Sequence, residues 1–235
     1  MRTFVLIHGA FHGSWCWEAV AARLSAAGHR VVAADMPGVG RLYRAGGPVV
    51  TLGDQVKAVV DLIEAGDLNE ITLVGHSLGG MHATAVADRC RKRIAAVVYL
   101  DAMVPQNGEA ARDFVPAPMY HAALEALHMA GGGRELPVIF PASKFVPFEG
   151  DAAARFMSQL TPQPFFTFLE PVRLVNPAVD RRSFIYCSAM PFGLFERFAA
   201  AAKADTGWRY DELASFHDAM VTHPDEVAAM LIAAA

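Results

Sequence analysis

The chain has 235 residues, 54% hydrophobic and 19% charged, with a net charge of −4. That length suits one domain with a sizeable core, the composition excludes a disordered chain, and the charge leaves no basic footprint for nucleic acid. Cys16, Cys90 and Cys187 are widely spaced and form no C-x-x-C pair, so a reduced, cytoplasmic setting is expected.

Thr3 to Ile7 is a continuous apolar run, as in a strand of a parallel sheet covered on both faces. It is too short for a signal-peptide core or a membrane span, and no membrane association is expected. His8-Gly9-Ala10-Phe11-His12-Gly13 follows it, then a helix over about 15–27 with Ser14 as N-cap, stopped by Gly28. Val31 to Ala34 reads as the second strand. Thr51 caps a helix over 52–65. Ile71 to Val74 is a strand running into a helix that begins near Leu78 and ends near Cys90. The basic cluster Arg89, Arg91, Lys92 and Arg93 falls at the end of that helix, where cations complement its dipole. Ile94 to Leu100 is the fourth strand, ending at Asp101.

The alternation then stops until Ser183 to Cys187. A direct connection needs only about 2–6 residues, so residues 102–181 read as an insertion. It holds helical pieces over 120–130, 151–160 and 164–169, many aromatic residues, and a Gly131-Gly132-Gly133 run expected to be a mobile point. A helix over 192–202, a strand over 208–213, His217 and a helix over 224–234 complete the chain. The expected fold is α/β: a mostly parallel six-stranded sheet flanked by helices. Residues 1–101 and 182–235 form its core, and the 102–181 insertion forms a helical lid over the C-terminal sheet edge.

The corner Gly75-His76-Ser77-Leu78-Gly79 matches G-x-S-x-G between a strand and a helix. A serine there sits on strained backbone with its hydroxyl exposed above the sheet, and the glycines let strand and helix pass closely. Ser77 is the candidate nucleophile. His217 is the candidate base, because it follows the last strand and so lies at the same sheet edge. His223 precedes Pro224 and reads as a cap of the last helix; His76 should point away from the nucleophile. Two backbone N–H groups would form an oxyanion hole, those of Leu78 and Ala10. The acid is less plainly written. Asp101 ends the strand neighbouring that of Ser77; the first carboxylate after Cys187 is Glu196, inside the next helix.

At these residues the chain resembles the α/β-hydrolase group that includes plant methylesterases and hydroxynitrile lyases, as a bacterial-type esterase member. The resemblance rests on residues 4–17, on Asp35-Met36-Pro37-Gly38, on residues 75–81 and on residues 207–224. In that group the serine, the late histidine and the two oxyanion positions match Ser77, His217, Ala10 and Leu78. The acid that the group places after the sixth strand of the fold is missing, which makes Asp101 the candidate in its stead. The resembling lyases carry a hydroxyl residue where Ala10 stands and a lysine after the late histidine, where this chain has Asp218, expected to repel cyanide. The expected activity is serine-dependent cleavage of a carboxylic ester with small or medium apolar or aromatic groups. A lyase and a non-catalytic hydrolase-fold binding protein are the alternatives. No metal cluster or dinucleotide fingerprint is found, so no metal and no cofactor are expected. The partner is a small-molecule ester, and a homodimer is compatible with the sequence.

Overall fold

A computed structural model describes residues 1–130 and 132–235, so Gly131 of the glycine run lies outside the described residues. Six parallel strands form one sheet: β1 (Thr3–Ile7), β2 (Arg30–Ala33), β3 (Ile71–His76), β4 (Ile94–Leu100), β7 (Arg182–Cys187) and β8 (Trp208–Leu213). Their spatial order is β2-β1-β3-β4-β7-β8, which puts β3 and β4 at the centre. In register, Gly75 lies beside Tyr99 and His76 beside Leu100, so Ser77 and Asp101 emerge together at the C-terminal edge.

Both faces are covered, which is why the central strands are apolar throughout. Phe4 and Leu6 of β1 join a core with Trp17, Val20 and Leu24, the last two from α1 (Glu18–Ala26), and with Val227 and Leu231 of α8 (Pro224–Ala234). Val5 and Ile7 face the other way, onto α2 (Leu52–Ala65) and α3 (Gly79–Arg89). This alternation at one-residue steps is the strand period expressed as two cores. α6 (Glu196–Ala204) lies with β7 and β8, and the short α7 (Ala219–Thr222) precedes α8.

Local chemistry sets the boundaries. Thr51 accepts from the Asp54 N–H while Asp54 accepts from the Thr51 N–H, a full capping box at the start of α2. Ser14 is no cap: it begins a 3-10 turn over Ser14–Trp17, and its own N–H donates to Asp35. His223 occupies the N-cap position of α8 without a side-chain cap, its ring instead meeting Thr222 Oγ1. Residues 102–181 contain α4 (Ala117–Met129), α5 (Gly150–Met157), four-residue 3-10 turns at Ala111–Phe114 and Phe165–Phe168, and a two-residue antiparallel pair, β5 (Glu135–Leu136) with β6 (Gln163–Pro164). The helix expected over 164–169 is therefore that tighter turn.

Candidate active site

The turn between β3 and α3 carries the candidate nucleophile. Ser77 has φ +55°, a left-handed conformation that costs a non-glycine residue about 1–3 kcal/mol. Its neighbours hold it there. The Ser77 N–H donates to Leu100 O and its carbonyl accepts from the Met103 N–H. A Cβ on Gly75 would come within 2.5 Å of the Gly79 carbonyl oxygen, and one on Gly9 within 2.7 Å of the Ser77 Cβ. Glycine is thus required where the β1 loop, the elbow and the first turn of α3 converge. Ser77 sits one residue before Leu78, the N-cap of α3, so the positive end of that helix faces the serine.

His217 Nδ1 lies 2.6 Å from Asp101 Oδ2 across the edge of the sheet. Asp101 is also at positive φ, +42°, and its Oδ1 accepts from the Cys187 N–H at 3.4 Å. Both side chains are nearly sealed from solvent. Burial brings His217 down to about 4 and pushes Asp101 well up, driving both toward their uncharged forms. When Asp101 is ionised its oxygens only accept, which puts the imidazole proton on Nδ1 and leaves Nε2 as the basic nitrogen. Phe195 stacks on the imidazole at 4.8 Å and 7°, and Phe192 lies 4.7 Å away at a tilt. Glu196, the other carboxylate considered from sequence, instead accepts from the Gly193 N–H at the start of α6.

Ser77, His217, Ala10 and Leu78 all line one cavity that opens to solvent. Among the described residues, neither Ala10 nor Leu78 donates its N–H to a protein acceptor. No direct hydrogen bond joins Ser77 to His217; the two groups meet at the cavity, and such pairs commonly tighten only around substrate. The remaining walls are mainly apolar: Met103, Val115, Met119, Leu136, Phe140, Phe145, Phe165 and Phe168 come from residues 102–181, and Phe192 and Phe195 from the turn before α6.

A family model described as Alpha/beta hydrolase family matches residues 4–230. The chain belongs to this family. It is 35% identical over 246 aligned positions to the carbendazim hydrolyzing esterase of Nocardioides sp. (strain SG-4G), with 99% of each chain covered. It is 38% identical over 106 residues to Methylesterase 7 of Arabidopsis thaliana, a match that spans 44% of this chain and 41% of that protein. Among solved structures, an extracellular alpha/beta-hydrolase from a Paenibacillus species superposes with a TM-score of 0.87 at 27% identity, covering 100% of this chain and 99% of that one.

In this α/β-hydrolase the surroundings of the site contain residues that the sequence did not single out. Gln163 is buried, and its Oε1 accepts from the Phe11 N–H while the Phe11 carbonyl accepts from the Thr161 N–H. Phe11 has φ +69°, so residues 161–163 clamp both polar groups of a strained residue beside Ala10. A glutamine in an otherwise apolar, proline-flanked stretch was the available signal. The second omission was His12 and its pairing with Asp218. His12 Nε2 lies 2.8 Å from Asp218 Oδ2, both fully buried. Burial works against each charge, but their mutual contact prevails, raising His12 and lowering Asp218. Asp218 was expected beside the reacting centre, yet it lies behind the cavity wall and does not line it. His76 also points away from the cavity, donating to the His217 carbonyl at 3.1 Å.

Ligand atoms of His76, His217 and Asp218 lie within 4.8 Å of one another, a donor set that a cation could use. Three of its contacts are hydrogen bonds inside the protein, His76 Nε2 with His217 O, His217 Nδ1 with Asp101 and Asp218 Oδ2 with His12, whereas Asp218 Oδ1 and His76 Nδ1 have no hydrogen-bond partner among the described residues. No helix of the described residues is long and apolar enough to cross a membrane.

Proposed function

We propose that the protein is a serine esterase that cleaves a carboxylic ester through an acyl-enzyme. The observation that carries this reading is the 2.6 Å contact of His217 Nδ1 with Asp101 Oδ2, at the cavity into which Ser77 projects from a strained elbow. In the proposed reaction His217 Nε2 takes the proton of Ser77 as its oxygen attacks the ester carbonyl. The oxyanion rests between the N–H groups of Ala10 and Leu78 and is further favoured by the N-terminus of α3. Collapse expels the alcohol, which takes the proton from His217. Water then repeats the cycle on the acyl group and releases the acid. Asp101 keeps the imidazole in the required tautomer and stabilises the imidazolium that forms.

Residues 102–181 act in this reading as the lid, and their apolar walls select small or medium esters with apolar or aromatic groups. The esterases among the relatives support ester hydrolysis over cyanohydrin cleavage. So does the methyl side chain of Ala10, which offers no hydroxyl to a cyanohydrin. Turnover of p-nitrophenyl butyrate, lost in Ser77→Ala, together with a fluorophosphonate adduct mapped to Ser77, is the expected result. Ester turnover that survives Ser77→Ala would overturn the assignment.

A further inference from the structure

Two loops must keep register for the site to work: the one after β1, which carries Ala10, and the one after β8, which carries His217. A continuous set of buried contacts joins them. His12 Nδ1 lies 2.7 Å from the Ala10 carbonyl oxygen, and His12 Nε2 lies 2.8 Å from Asp218 Oδ2. Asp218 directly follows His217, and its other oxygen is 3.6 Å from His76 Nε2, the same nitrogen that donates to the His217 carbonyl. His12, His76 and Asp218 are each at most 1% exposed.

The partners of His12 decide its charge. A carbonyl oxygen and a carboxylate oxygen only accept, whereas a neutral imidazole has one N–H and one bare nitrogen. Both contacts are satisfied only when both ring nitrogens carry protons. We propose that His12 stands as an imidazolium paired with Asp218, and that this buried ion pair is a positioning brace fixing the Ala10 loop against the His217 loop. The brace rests on the esterase reading given above; the charge state of His12 does not. The titratable groups packed around the pair are His8 at the end of β1, Cys16 in the following turn, His76 of β3, Asp101 after β4, Cys187 of β7 and His217. Burial keeps His8 and His76 uncharged, which leaves Asp218 as the anion in direct contact with His12.

The first test is long-range ¹H–¹⁵N NMR of the uniformly ¹⁵N-labelled full chain. At pH 7 His12 is expected to carry protons on both ring nitrogens in the unaltered protein and on one in Asp218→Asn. A bare ring nitrogen on His12 at pH 7 in the unaltered protein overturns the ion pair, whether or not any variant folds. The second test reads kcat and KM for p-nitrophenyl butyrate in His12→Asn, Asp218→Asn and the double variant, with active sites counted by fluorophosphonate titration. Each single change is expected to lower kcat per titrated site about 10- to 100-fold, the scale of a small misplacement of catalytic groups, with KM within about threefold. The double variant should be no worse than the poorer single one, because the pair acts as a unit. Losses that multiply, or an unchanged kcat per titrated site with fewer folded molecules, overturn the brace. If Ser77 takes no fluorophosphonate, the esterase reading fails, and the NMR result still decides the charge of His12.

Discussion

Replacing Asp101 with asparagine changes one heavy atom in a site whose two hydrogen bonds have fixed directions. One oxygen accepts from His217 Nδ1 at 2.6 Å and the other from the Cys187 N–H at 3.4 Å. An asparagine cannot satisfy both. With its amide nitrogen toward His217, it donates to Nδ1, the imidazole proton moves to Nε2, and Ser77 faces a nitrogen that cannot take its proton. With the amide reversed, two N–H groups collide at Cys187, and no negative charge remains to support the imidazolium. The first arrangement is the wrong-tautomer defect known from serine proteases, where an equivalent change costs about 10⁴ in kcat. Asp101→Asn should therefore lower kcat by about 10³–10⁴, or roughly 4–5.5 kcal/mol in the barrier. The assay is steady-state turnover of p-nitrophenyl butyrate, with circular dichroism and melting temperature to verify the fold. Glu196→Gln, which alters a carboxylate bonded to Gly193, should stay within about tenfold, under roughly 1.4 kcal/mol. A well-folded Asp101→Asn enzyme within tenfold of the original would refute the reasoning and leave His217 oriented by something else.

Four further outcomes follow from the same geometry. In the proposed mechanism His217 acts as base only when neutral and burial brings it down to about 4, so kcat/KM should be level through neutrality and fall only near that value; an acid limb centred at 6.5 or above would contradict this. His8 at about 3 and His82 at about 4 are buried neutral, whereas in the unfolded chain they take up protons below about 6.5. The unfolded state then binds more protons, so stability present above pH 6.5 is lost as pH falls toward the folded values; from pH 7 to 5 each should cost about 2 kcal/mol, read by urea unfolding at the two pH values. A Cβ on Gly80 would stand 2.0 Å from the Met103 carbonyl oxygen, so Gly80→Ala should prevent accumulation of folded protein, and soluble, active material would show that the β4 turn can yield. Gln163→Leu removes the acceptor of the buried Phe11 N–H and should cost about 1–3 kcal/mol in stability, with a drop in kcat as the Ala10 loop relaxes; an unchanged kcat would separate that clamp from the chemistry.

Much of this architecture could be read before folding because it is written locally. The ends of β1, β4, β8, α2 and α8 coincide with the expected ones, since apolar runs, the Thr51 cap and Pro224 act within a few residues of themselves. The corner at Ser77 was legible for the same reason: the glycines must lie next to the serine they accommodate. Asp101 could be named because β4 was expected beside β3, and parallel strands bring their C-terminal ends to one edge. The 206-residue separation between His12 and Asp218, and the 152 between Phe11 and Gln163, leave no local trace of which residues pair, even where Gln163 itself stands out in an apolar stretch. His12, Asp218 and Gln163 would each be an ordinary polar side chain on a loop, and Phe11 an ordinary loop residue; only tertiary burial makes them structural pairs. Ser14 and His223 went wrong in the opposite direction, each having cap chemistry at a plausible place while its side chain or backbone was drawn to another partner.

The clamp on Phe11 has a consequence for anyone who wishes to redirect this enzyme by recombination. Exchanging the segment between β4 and β7 for that of a relative looks like a modular operation, because both ends of the cut lie on the central sheet. Yet the segment's Thr161 and Gln163 hold the backbone beside Ala10, and Thr161 Oγ1 also accepts from the Gly40 N–H. A graft that imports a new pocket without equivalents of these two residues brings in new walls and removes a tether from the loop those walls surround. The natural seams for a chimera are therefore staggered, with residues 161–163 inherited together with residues 9–13 and Gly40 from one parent.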